Sequence, residues 1–413
     1  MHVVLDRDIV VLSAARTPVG RFDGLLCEFT AIDLGALAIG GAVSRDGLTP
    51  TDVDTVNMGI VVSGGLGVAP AKAAAVQAGL PQTIHSRTVE TVCGSGMDAI
   101  ALGIESLVVG TAGMVVAGGM ESRSNASYLL RPRFRKDTAH YARGARLKVK
   151  RGGAYRFVLA ENVEEQLSAT EIVDPTSYDG LFCPEDRKFM RQYALEFAAR
   201  QGYTAELINR YAAESHRKAR AATAQGWFRE EIVPAGDAHD DDLAPEEWLQ
   251  QELAANPDDM ASACNASMPA DGAAALALTT GERARKMGLR PMARVLGYAR
   301  HDCPACDFLC APVKAVRELV TGLKSAGRPA DFSLFEANEA FGIQLPFFAE
   351  AWPGLAMNLH GGAIALGHPL GAAGARIITT LLHAMRRYGH ARGLATICYG
   401  GGGGYAMAFE LVA

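Results

Sequence analysis

The chain has 413 residues, of which 49% are hydrophobic and 21% are charged. This length and composition exclude a disordered chain and predict more than one packed unit. The net charge of -5 gives no general attraction to nucleic acid or to an anionic membrane. Any anionic ligand must therefore be bound by a local basic patch.

The N-terminal sequence and the cysteines bear on the compartment. The segment MHVVLDRDIVVLSAARTP leads directly into a strand-like run and has neither a signal peptide nor an Arg/Ser-rich transit peptide. No apolar run reaches the length that we expect of a membrane span. The 8 cysteines lie far apart except for Cys303, Cys306 and Cys310, which favours free thiols over a disulfide framework. We therefore predict a cytoplasmic protein with no nucleic-acid partner and no membrane insertion.

Short β-rich runs alternate with Ala-rich helical patterns in the first part of the chain. The strand-like runs are DIVVLSAA, TVNMGIV and GMVVAGG, and the helical patterns are AIDLGALAIGGAVSR, APAKAAAVQAG and GMDAIALGIESLVVG. This alternation predicts an α/β layered domain.

The character of the sequence changes twice further along. From Arg123 to about Asp259 it is polar and charged, and then a second strand and helix series follows, from GAAALALTT to GLATICYGGGGGYAMAFELV. We predict an N-terminal half formed by residues 1–122 and 260–285, an inserted lobe at 123–259 and a C-terminal half at 286–413. The shared rhythm of the halves suggests a duplicated architecture.

Cys93 follows an extended apolar run and precedes a glycine-containing helix start, in TVETVCGSGMDAIALG. At a helix N-terminus, unpaired N–H groups and the helix dipole favour a thiolate and can stabilise an oxyanion. A small buried hydrophobic cysteine is the alternative reading of this residue taken alone.

Three further segments place polar groups in glycine-rich or strand-end surroundings. His368 lies in NLHGGAIALGHPLGAAGAR, where glycines allow close backbone approach and the imidazole could act as a base. Cys398 precedes the glycine run 400–404, whose N–H groups could stabilise an oxyanion. Asn338 follows a strand in FEANEAFG and could orient a water or a carbonyl. Taken singly, His368 could be a turn residue and the glycine run a flexible hairpin.

These four segments resemble the thiolase family. CGSGM, NEAF, GGAIALGHP.GA.GAR and C.GGG occur in the order and spacing of that family. VLSAARTPVGRF stands at the start, and VAGGMES.SNA and NAS...DGAAA lie between them. The resemblance covers essentially the whole chain.

The resemblance implies a role for each candidate catalytic residue. Cys93 would be acylated by an acyl-CoA or a 3-oxoacyl-CoA after His368 takes its proton, and Cys398 would exchange a proton with the α-carbon. The enolate or thioester oxygen would be held by His368 and by a water on Asn338. The tetrahedral intermediate would be held by the N–H groups of Cys93 and Gly400. The implied reaction is acyl-CoA + acetyl-CoA = 3-oxoacyl-CoA + CoA, and it is reversible.

The resemblance also implies the fold and the ligands. The fold would be α/β, a five-layer αβαβα arrangement of two similar halves with an inserted loop lobe over the CoA site. Ser267 matches a serine that contacts pantetheine, and we assign Phe189, Met190 and Phe341 to substrate binding. Coenzyme A is a co-substrate, no cofactor or metal is expected, and a homodimer or homotetramer is expected.

The sequence also departs from the short-chain pattern of the family. Phe189 stands where short-chain thiolases have a histidine, which weakens an assignment to acetoacetyl-CoA alone. Its phenyl ring could equally fill the acyl pocket, which leaves the chain length open. Asp98 replaces a common lysine, Ala373 stands where serine is frequent, and Cys264 and Met268 stand where glycines are common. We therefore predict a branch that is specialised beyond acetoacetyl-CoA.

A basic segment at residues 131–156 forms part of a lobe that is longer than usual for the family. Its basic residues include Arg143, Arg146, Lys148, Lys150, Arg151 and Arg156. The later loop GDAHDDDLAPEEW would repel phosphate, so we hypothesise that 131–156 contacts the phosphates of CoA or of an acyl carrier protein. A solvated loop or an oligomer contact is the alternative.

Other functions were weighed against this one. HDCPACDFLC could be a zinc site or a redox pair, but no second pair of ligands accompanies it. A decarboxylating ketosynthase would have histidine where Cys398 stands. Two further alternatives are a non-catalytic CoA- or lipid-binding homologue and an acyltransferase for a carrier-protein thioester. Acylation of Cys93 by an acyl-CoA distinguishes a thiolase from both.

Overall fold

The computed structural model describes residues 1–45, 47–131, 146–149, 155–158 and 171–412. The strands are β1 (His2–Val4), β2 (Ile9–Arg16), β3 (Gly20–Arg21), β4 (Thr55–Gly59), β5 (His85–Val89), β6 (Met114–Glu121), β7 (Leu129–Arg131), β8 (Arg146–Val149), β9 (Tyr155–Val158), β10 (Glu171–Val173), β11 (Phe182–Cys183), β12 (Lys188–Phe189), β13 (Ala270–Thr280), β14 (Ala293–Asp302), β15 (Leu334–Ala337), β16 (Ala356–Met357), β17 (Arg392–Tyr399) and β18 (Gly403–Leu411).

The α-helices lie between these strands and in the inserted lobe. They are α1 (Ala31–Ser44), α2 (Pro70–Gln77), α3 (Ser95–Val109), α4 (Pro175–Leu181), α5 (Met190–Gln201), α6 (Ala205–Ala224), α7 (Glu246–Ala255), α8 (Gly281–Lys286), α9 (Ala311–Ser325), α10 (Gln344–Ala351), α11 (Ala363–Leu366) and α12 (Ala373–Tyr388). Local sequence explains their ends: Thr30 and Asp33 form a capping box at the start of α1, and α12 ends at Gly389 in the left-handed conformation.

The main sheet has two parts with the same strand order. The N-terminal part runs β5-β4-β6-β13-β2, and the C-terminal part runs β16-β15-β17-β18-β14. In each part the first three strands are parallel and the last two are antiparallel to their neighbours. The parts join where β14 pairs with β2. The predicted duplication of two similar halves is confirmed.

The layer order follows from the alternation of side chains along the strands, because successive residues of a strand face opposite sides of a sheet. Val10 packs with α1 and α2, whereas Val11 packs with α3 and α12. In the second half, Leu394 packs with α9 and Ala395 packs with α3 and α12. The layers are therefore α1 and α2, a sheet, α3 and α12, a sheet, and α9. This is the predicted five-layer αβαβα arrangement.

One stretch passes a length and composition test for a membrane span. Val92–Val109 has a mean hydropathy of 1.5, and 67% of it is buried inside the structure. The expectation that no apolar run reaches this length is therefore wrong for this stretch. It contains α3, which lies between the two sheet parts. A core helix that is buried on most sides is apolar all round, as a membrane span is.

The chain between β6 and β13 carries α4 to α7, and its helices α5 and α6 pack mainly on elements of the C-terminal half, among them α10 and α11. A buried ion network joins it to β2. Arg16 donates from Nε to Glu231 at 2.6 Å and from Nη1 to Asp241 at 2.6 Å. All three side chains are shielded from solvent.

Two sequence-based predictions stay open at this level. The domain boundaries at 122, 259 and 285 stay a prediction. The side chains of the basic segment 131–156 lie outside the described residues, so its proposed phosphate contacts also stay a prediction.

Candidate active site

A strained turn places Cys93 in front of α3. Val92 lies between β5 and α3 with φ 47°, in the left-handed region that β-branched residues rarely adopt. Such a backbone conformation costs about 1–3 kcal/mol and persists only where surrounding contacts impose it. Here Ser95 Oγ accepts from Thr91 N at 2.8 Å and donates to Val92 O at 2.6 Å. The first turn of α3 therefore holds Cys93 in its orientation.

Glycines allow this helix to contact the loop that carries His368. A Cβ atom at Gly96 would lie only 2.8 Å from the carbonyl oxygen of Gly371. Gly371 N in turn donates to Glu121 at 2.8 Å, and this buried carboxylate also accepts from the loop after β4. The His368 loop is thus fixed between α3 and the end of β6.

His368 is held by its backbone while its ring is left free. Its N–H donates to Met268 O at 2.9 Å. Neither ring nitrogen has a hydrogen-bond partner among the described residues, although the side chain is buried. Burial lowers the pKa of His368 to about 3, with the positive charges of Arg123 and Arg376 adding to the effect. The imidazole is therefore neutral near pH 7 and can accept a proton.

Asn338 directly follows β15 and is fixed by its own backbone N–H, which donates to Thr396 O at 2.9 Å. Its side chain is buried, and neither amide atom has a partner in the described part of the chain. An unpaired buried amide is costly unless a ligand or a water completes its hydrogen bonds. Because β15 pairs with β17 in parallel, with Ala337 opposite Thr396, Asn338 lies beside the strand that carries Cys398.

Cys398 is buried near the end of β17. Gln344 Nε2 lies 3.5 Å from its sulfur and 3.3 Å from the carbonyl oxygen of Leu309. Burial raises the pKa of Cys398 to about 12, and the hydrogen bond from Gln344 opposes this rise. Cys398 is therefore a thiol that must gain its charge during a reaction.

Cys93 lies close to Cys398 and to Gly400. Burial and the neighbouring Cys398 raise the pKa of Cys93, while the N–H groups of Gly400 and of Cys93 itself lower it less. The expectation of a standing thiolate at the helix start is therefore wrong, because desolvation outweighs the N–H groups. The two N–H groups near this sulfur are those that the resemblance assigns to the oxyanion.

Contacts between the two halves explain why these groups meet. Asn338 follows β15 and Cys398 lies one residue before the end of β17, and these two strands are parallel neighbours in the C-terminal half. Cys93 follows β5 in the N-terminal half, and a Cβ atom on the adjacent Gly94 would lie 3.1 Å from the ring of Tyr399. The sequence-predicted residues thus lie on elements that meet around the first turn of α3: Cys93, Cys398, Gly400, His368 and Asn338.

Two of the predicted substrate-binding residues differ in exposure. Met190 is buried, and its sulfur would lie 3.0 Å from a Cβ atom on Gly400, so it borders the catalytic centre. Phe189 is 44% exposed and packs its ring against Phe182 at 5.2 Å. Its assignment to substrate binding stays a prediction.

Ser267 and Phe341 lie where the NAS segment runs beside NEAF. Ser267 Oγ donates to the carbonyl oxygen of Ala340 at 2.8 Å, and Phe341 forms a β-bridge with Ala266. These contacts fix the path of the backbone from Cys264 towards Asn338. The pantetheine contact of Ser267 stays a prediction.

A cavity of about 270 Å³ lies between α6 and α7. His216, Arg217 and Arg220 line one side, and Leu249 lies on another. The cavity reaches Cys264, at the start of the segment that leads to the catalytic centre. The basic side chains of this cavity lie among the described residues. Sequence analysis favours a different place for phosphate contacts, the segment 131–156.

The three clustered cysteines lie at the junction of β14 and α9. Cys303, Cys306 and Cys310 are free thiols of intermediate exposure. In the described ranges, no group of three or more His, Cys, Asp or Glu side chains could hold a metal ion.

Sequence reasoning missed two polar residues of the site. Gln344 was missed because nothing in the spacing links it to Cys398, which lies far along the chain. Arg123 was taken only as the start of the inserted lobe. It is 4% exposed, and its charge influences both Cys93 and His368. An arginine directly after an apolar strand was the available signal.

Comparisons with known proteins agree with this site. The chain matches the family described as "Thiolase, N-terminal domain" over residues 9–282 and "Thiolase, C-terminal domain" over residues 289–411. It is 37% identical to an acetyl-CoA acetyltransferase of Escherichia coli strain K12, with 98% of this chain and 99% of the relative covered. An acetyl-CoA acetyltransferase of Allochromatium vinosum is 33% identical, with 98% and 100% covered.

Solved structures are similar over the same length. A thiolase from Ascaris suum in complex with coenzyme A has a TM-score of 0.83 and 32% identity, covering 98% of this chain and 100% of that one. Human mitochondrial 3-ketoacyl-CoA thiolase in complex with CoA has a TM-score of 0.83 and 30% identity, covering 100% of both chains.

Proposed function

This chain belongs to the thiolase family, and we propose that it carries out reversible Claisen condensation through an acyl thioester on Cys93. The overall reaction is acyl-CoA + acetyl-CoA = 3-oxoacyl-CoA + CoA. The observation that carries the proposal is the set of buried polar atoms on His368 and Asn338 that have no partner among the described residues, on elements that meet those of the buried thiols Cys93 and Cys398. Buried polar groups of this kind are satisfied by a ligand.

The first half-reaction uses Cys93 and His368. His368 takes the thiol proton, the sulfur attacks the acyl-CoA carbonyl, and the N–H groups of Cys93 and Gly400 hold the oxyanion. The intermediate then expels CoA, which leaves with the proton from His368. Because His368 is neutral near pH 7, it can serve as the base in this step and the acid in the next.

The second half-reaction uses Cys398. Cys398 first loses its thiol proton to solvent, and the thiolate then removes a proton from the α-carbon of acetyl-CoA, while His368 with a water on Asn338 stabilises the enolate oxygen. The enolate carbon attacks the acyl group, and the Cys93 sulfur leaves. After the carbon–carbon bond forms, Cys398 returns this proton to the leaving Cys93 sulfur, so that the thiol of Cys93 and the thiolate of Cys398 are both restored. A thiol in this position suits proton exchange with carbon, because its pKa can be moved by burial and by the donor on Gln344.

The cavity beside Arg217 and Arg220 is the favoured place for the nucleotide end of CoA. Both side chains lie on α6 and line the cavity wall, and the cavity leads to Cys264 and the NAS segment. Phosphate recognition needs cations held near a groove. If the double variant Arg217→Gln/Arg220→Gln leaves the KM for acetyl-CoA unchanged, the phosphates bind elsewhere, with residues 131–156 as the next candidate.

The proposal extends to location and assembly. We place the enzyme in the cytoplasm as a homodimer or homotetramer. Leu25 (59%), Val68 (93%) and Val109 (71%) are exposed apolar side chains that such an assembly would cover if they lie at its contact. Light scattering after size exclusion tests the assembly, and a monomer at micromolar concentration would contradict it.

The acyl chain is tested with a panel of acyl-CoAs of increasing and branched length. We expect peptide mass spectrometry to find the acyl group on Cys93, with a chain longer than acetyl labelling it fastest. A Cys93→Ala variant is the control for labelling elsewhere. Retention of CoA without any Cys93 adduct would instead indicate a non-catalytic binding protein or a carrier-protein substrate.

A further inference from the structure

Arg123 is a buried cation beside the reacting groups. The proposed mechanism gives it no role. It follows β6, which ends in Glu121, and only 4% of its side chain is exposed. Its backbone N donates to Asp271 at 2.6 Å, and its Nη2 donates to the carbonyl oxygen of Thr176 at 2.6 Å. The guanidinium thus lies between the core and α4 of the inserted lobe.

The guanidinium has unused hydrogen-bonding capacity. Its Nε is buried without a partner among the described residues, and no ion pair to its side chain is found in that part of the chain. An arginine has five N–H donors in a planar fork that matches a carboxylate. Leaving such donors buried and unpaired is costly, so a ligand oxygen is expected there.

The nearby carboxylates balance part of the charge without using these donors. Glu121 accepts from Gly371 N and from two other backbone N–H groups. Asp174 accepts from the first turn of α4, and Asp271 accepts from the backbone of Arg123 and from Ser124. All three influence Arg123 through space. Nη2 of Arg123 donates to Thr176, whereas its Nε has no acceptor among the described residues.

Helix α4 of the inserted lobe contacts both Arg123 and the loop that carries His368. A Cβ atom on Gly180 of α4 would be 2.7 Å from the side chain of Leu370, so α4 covers the His368 loop. The guanidinium reaches α4 at Thr176. The influence of its charge on His368 and Cys93 agrees with this placement.

From these contacts we propose that Arg123 binds a carboxylate on the acyl chain, so that the preferred acyl donor is a dicarboxylic acyl thioester. This inference rests on the proposed function, because it assumes acylation of Cys93. The step is glutaryl-S-CoA + Cys93-SH giving glutaryl-S-Cys93 + CoA-SH, with the distal carboxylate unchanged and held by Arg123.

The test compares matched acyl donors on the full-length protein. Glutaryl-CoA is paired with pentanoyl-CoA, and adipyl-CoA with hexanoyl-CoA, and the rate of Cys93 acylation is measured by peptide mass spectrometry. We expect the wild type to favour the carboxylate of each pair by at least about tenfold, as for a charge-assisted hydrogen bond. Arg123→Met should abolish this preference, so that the ratio of the two acylation rates within each pair falls to about one, whatever the rate with pentanoyl-CoA itself.

The outcomes separate this inference from the proposed function. Equal or slower acylation by the dicarboxylic donors in the wild type overturns the inference, and this readout needs no variant to fold. A uniform loss with all donors in Arg123→Met also overturns it, because Arg123 then acts on Cys93 or on the fold. Arg294→Met, at an exposed arginine paired with Asp8, is the control. No Cys93 adduct with any donor is the failure of the proposed function itself.

Discussion

The two buried cysteines have different predicted tasks, and substitution separates them. Cys398→Ala should retain acylation of Cys93 by an acyl-CoA, because the base for that step is His368. It should lower formation of 3-oxoacyl-CoA by at least about 10²-fold, the usual contribution of a general acid or base. Peptide mass spectrometry measures the first step and product chromatography the second.

The matched control is Cys93→Ala, which should lose both steps. Loss of Cys93 acylation in a folded Cys398→Ala protein would contradict the division of labour. Circular dichroism establishes folding in each variant.

Gln344 sets the proton affinity of Cys398 and is a positioning residue. Its hydrogen bond lowers the pKa of Cys398, so Gln344→Leu should raise that pKa. The thiolate is then formed at higher pH, so the alkaline inflection of the condensation rate should move upward. The rate at pH 7 should fall by about two- to tenfold, the value of one neutral hydrogen bond.

Gln77→Leu removes a surface glutamine that donates to Asp33 and serves as the control. Acylation of Cys93 should be unchanged in both variants. An unshifted condensation profile in Gln344→Leu would show that Gln344 only packs against Leu309.

At the scale of elements, the close approach of α3 to the His368 loop depends on Gly96. Gly96→Ala would place a methyl group 2.8 Å from Gly371 O and 3.1 Å from Ala375 N. Both contacts are backbone atoms, so the loop or the helix must move. We expect a loss of about 1–3 kcal/mol in the free energy of unfolding and slower Cys93 acylation.

Gly40 of α1 gives the opposite expectation for the same substitution. A Cβ atom there meets nothing within 4 Å, and alanine favours helix over glycine by about 1 kcal/mol. Chemical denaturation of Gly40→Ala and Gly96→Ala measures the free energy of unfolding of each variant. Equal stability of the two variants would contradict the close-contact account.

At the scale of the whole molecule, a buried ion network joins the inserted lobe to the N-terminal half. Arg16→Met leaves Glu231 and Asp241 buried without their cation. Breaking such a pair costs about 3–5 kcal/mol, and we expect this loss in the free energy of unfolding. The measurement is chemical denaturation at pH 7.

Arg21→Met is the control on the same face. Arg21 is 44% exposed and pairs with Asp242 at 3.0 Å, so its loss should cost less than about 1 kcal/mol. If Arg16→Met lowered the free energy of unfolding by as little as Arg21→Met, the network would not stabilise the contact between the lobe and the core.

Sequence patterns predicted much of this architecture because the spacing of apolar residues follows which side chains are buried. The strand and helix rhythm predicted the two halves, since alternating apolar residues face different layers. The glycine-flanked segments around Cys93 and His368 predicted where backbone approaches a ligand. The charge state of Cys93 was not predictable, because it depends on burial from distant segments. Gln344 and Arg123 have roles that arise only from contacts across the fold.

The measurement that tests the central claim most directly is a single turnover of acetoacetyl-CoA in the absence of free CoA. Breaking the carbon–carbon bond at Cys93 should leave an acetyl group on that cysteine and release one acetyl-CoA per active site. Rapid quenching followed by peptide and nucleotide mass spectrometry measures both products. An acetoacetyl group on Cys93 with release of free CoA would contradict the account, because the thioester and not the carbon–carbon bond would then have been broken.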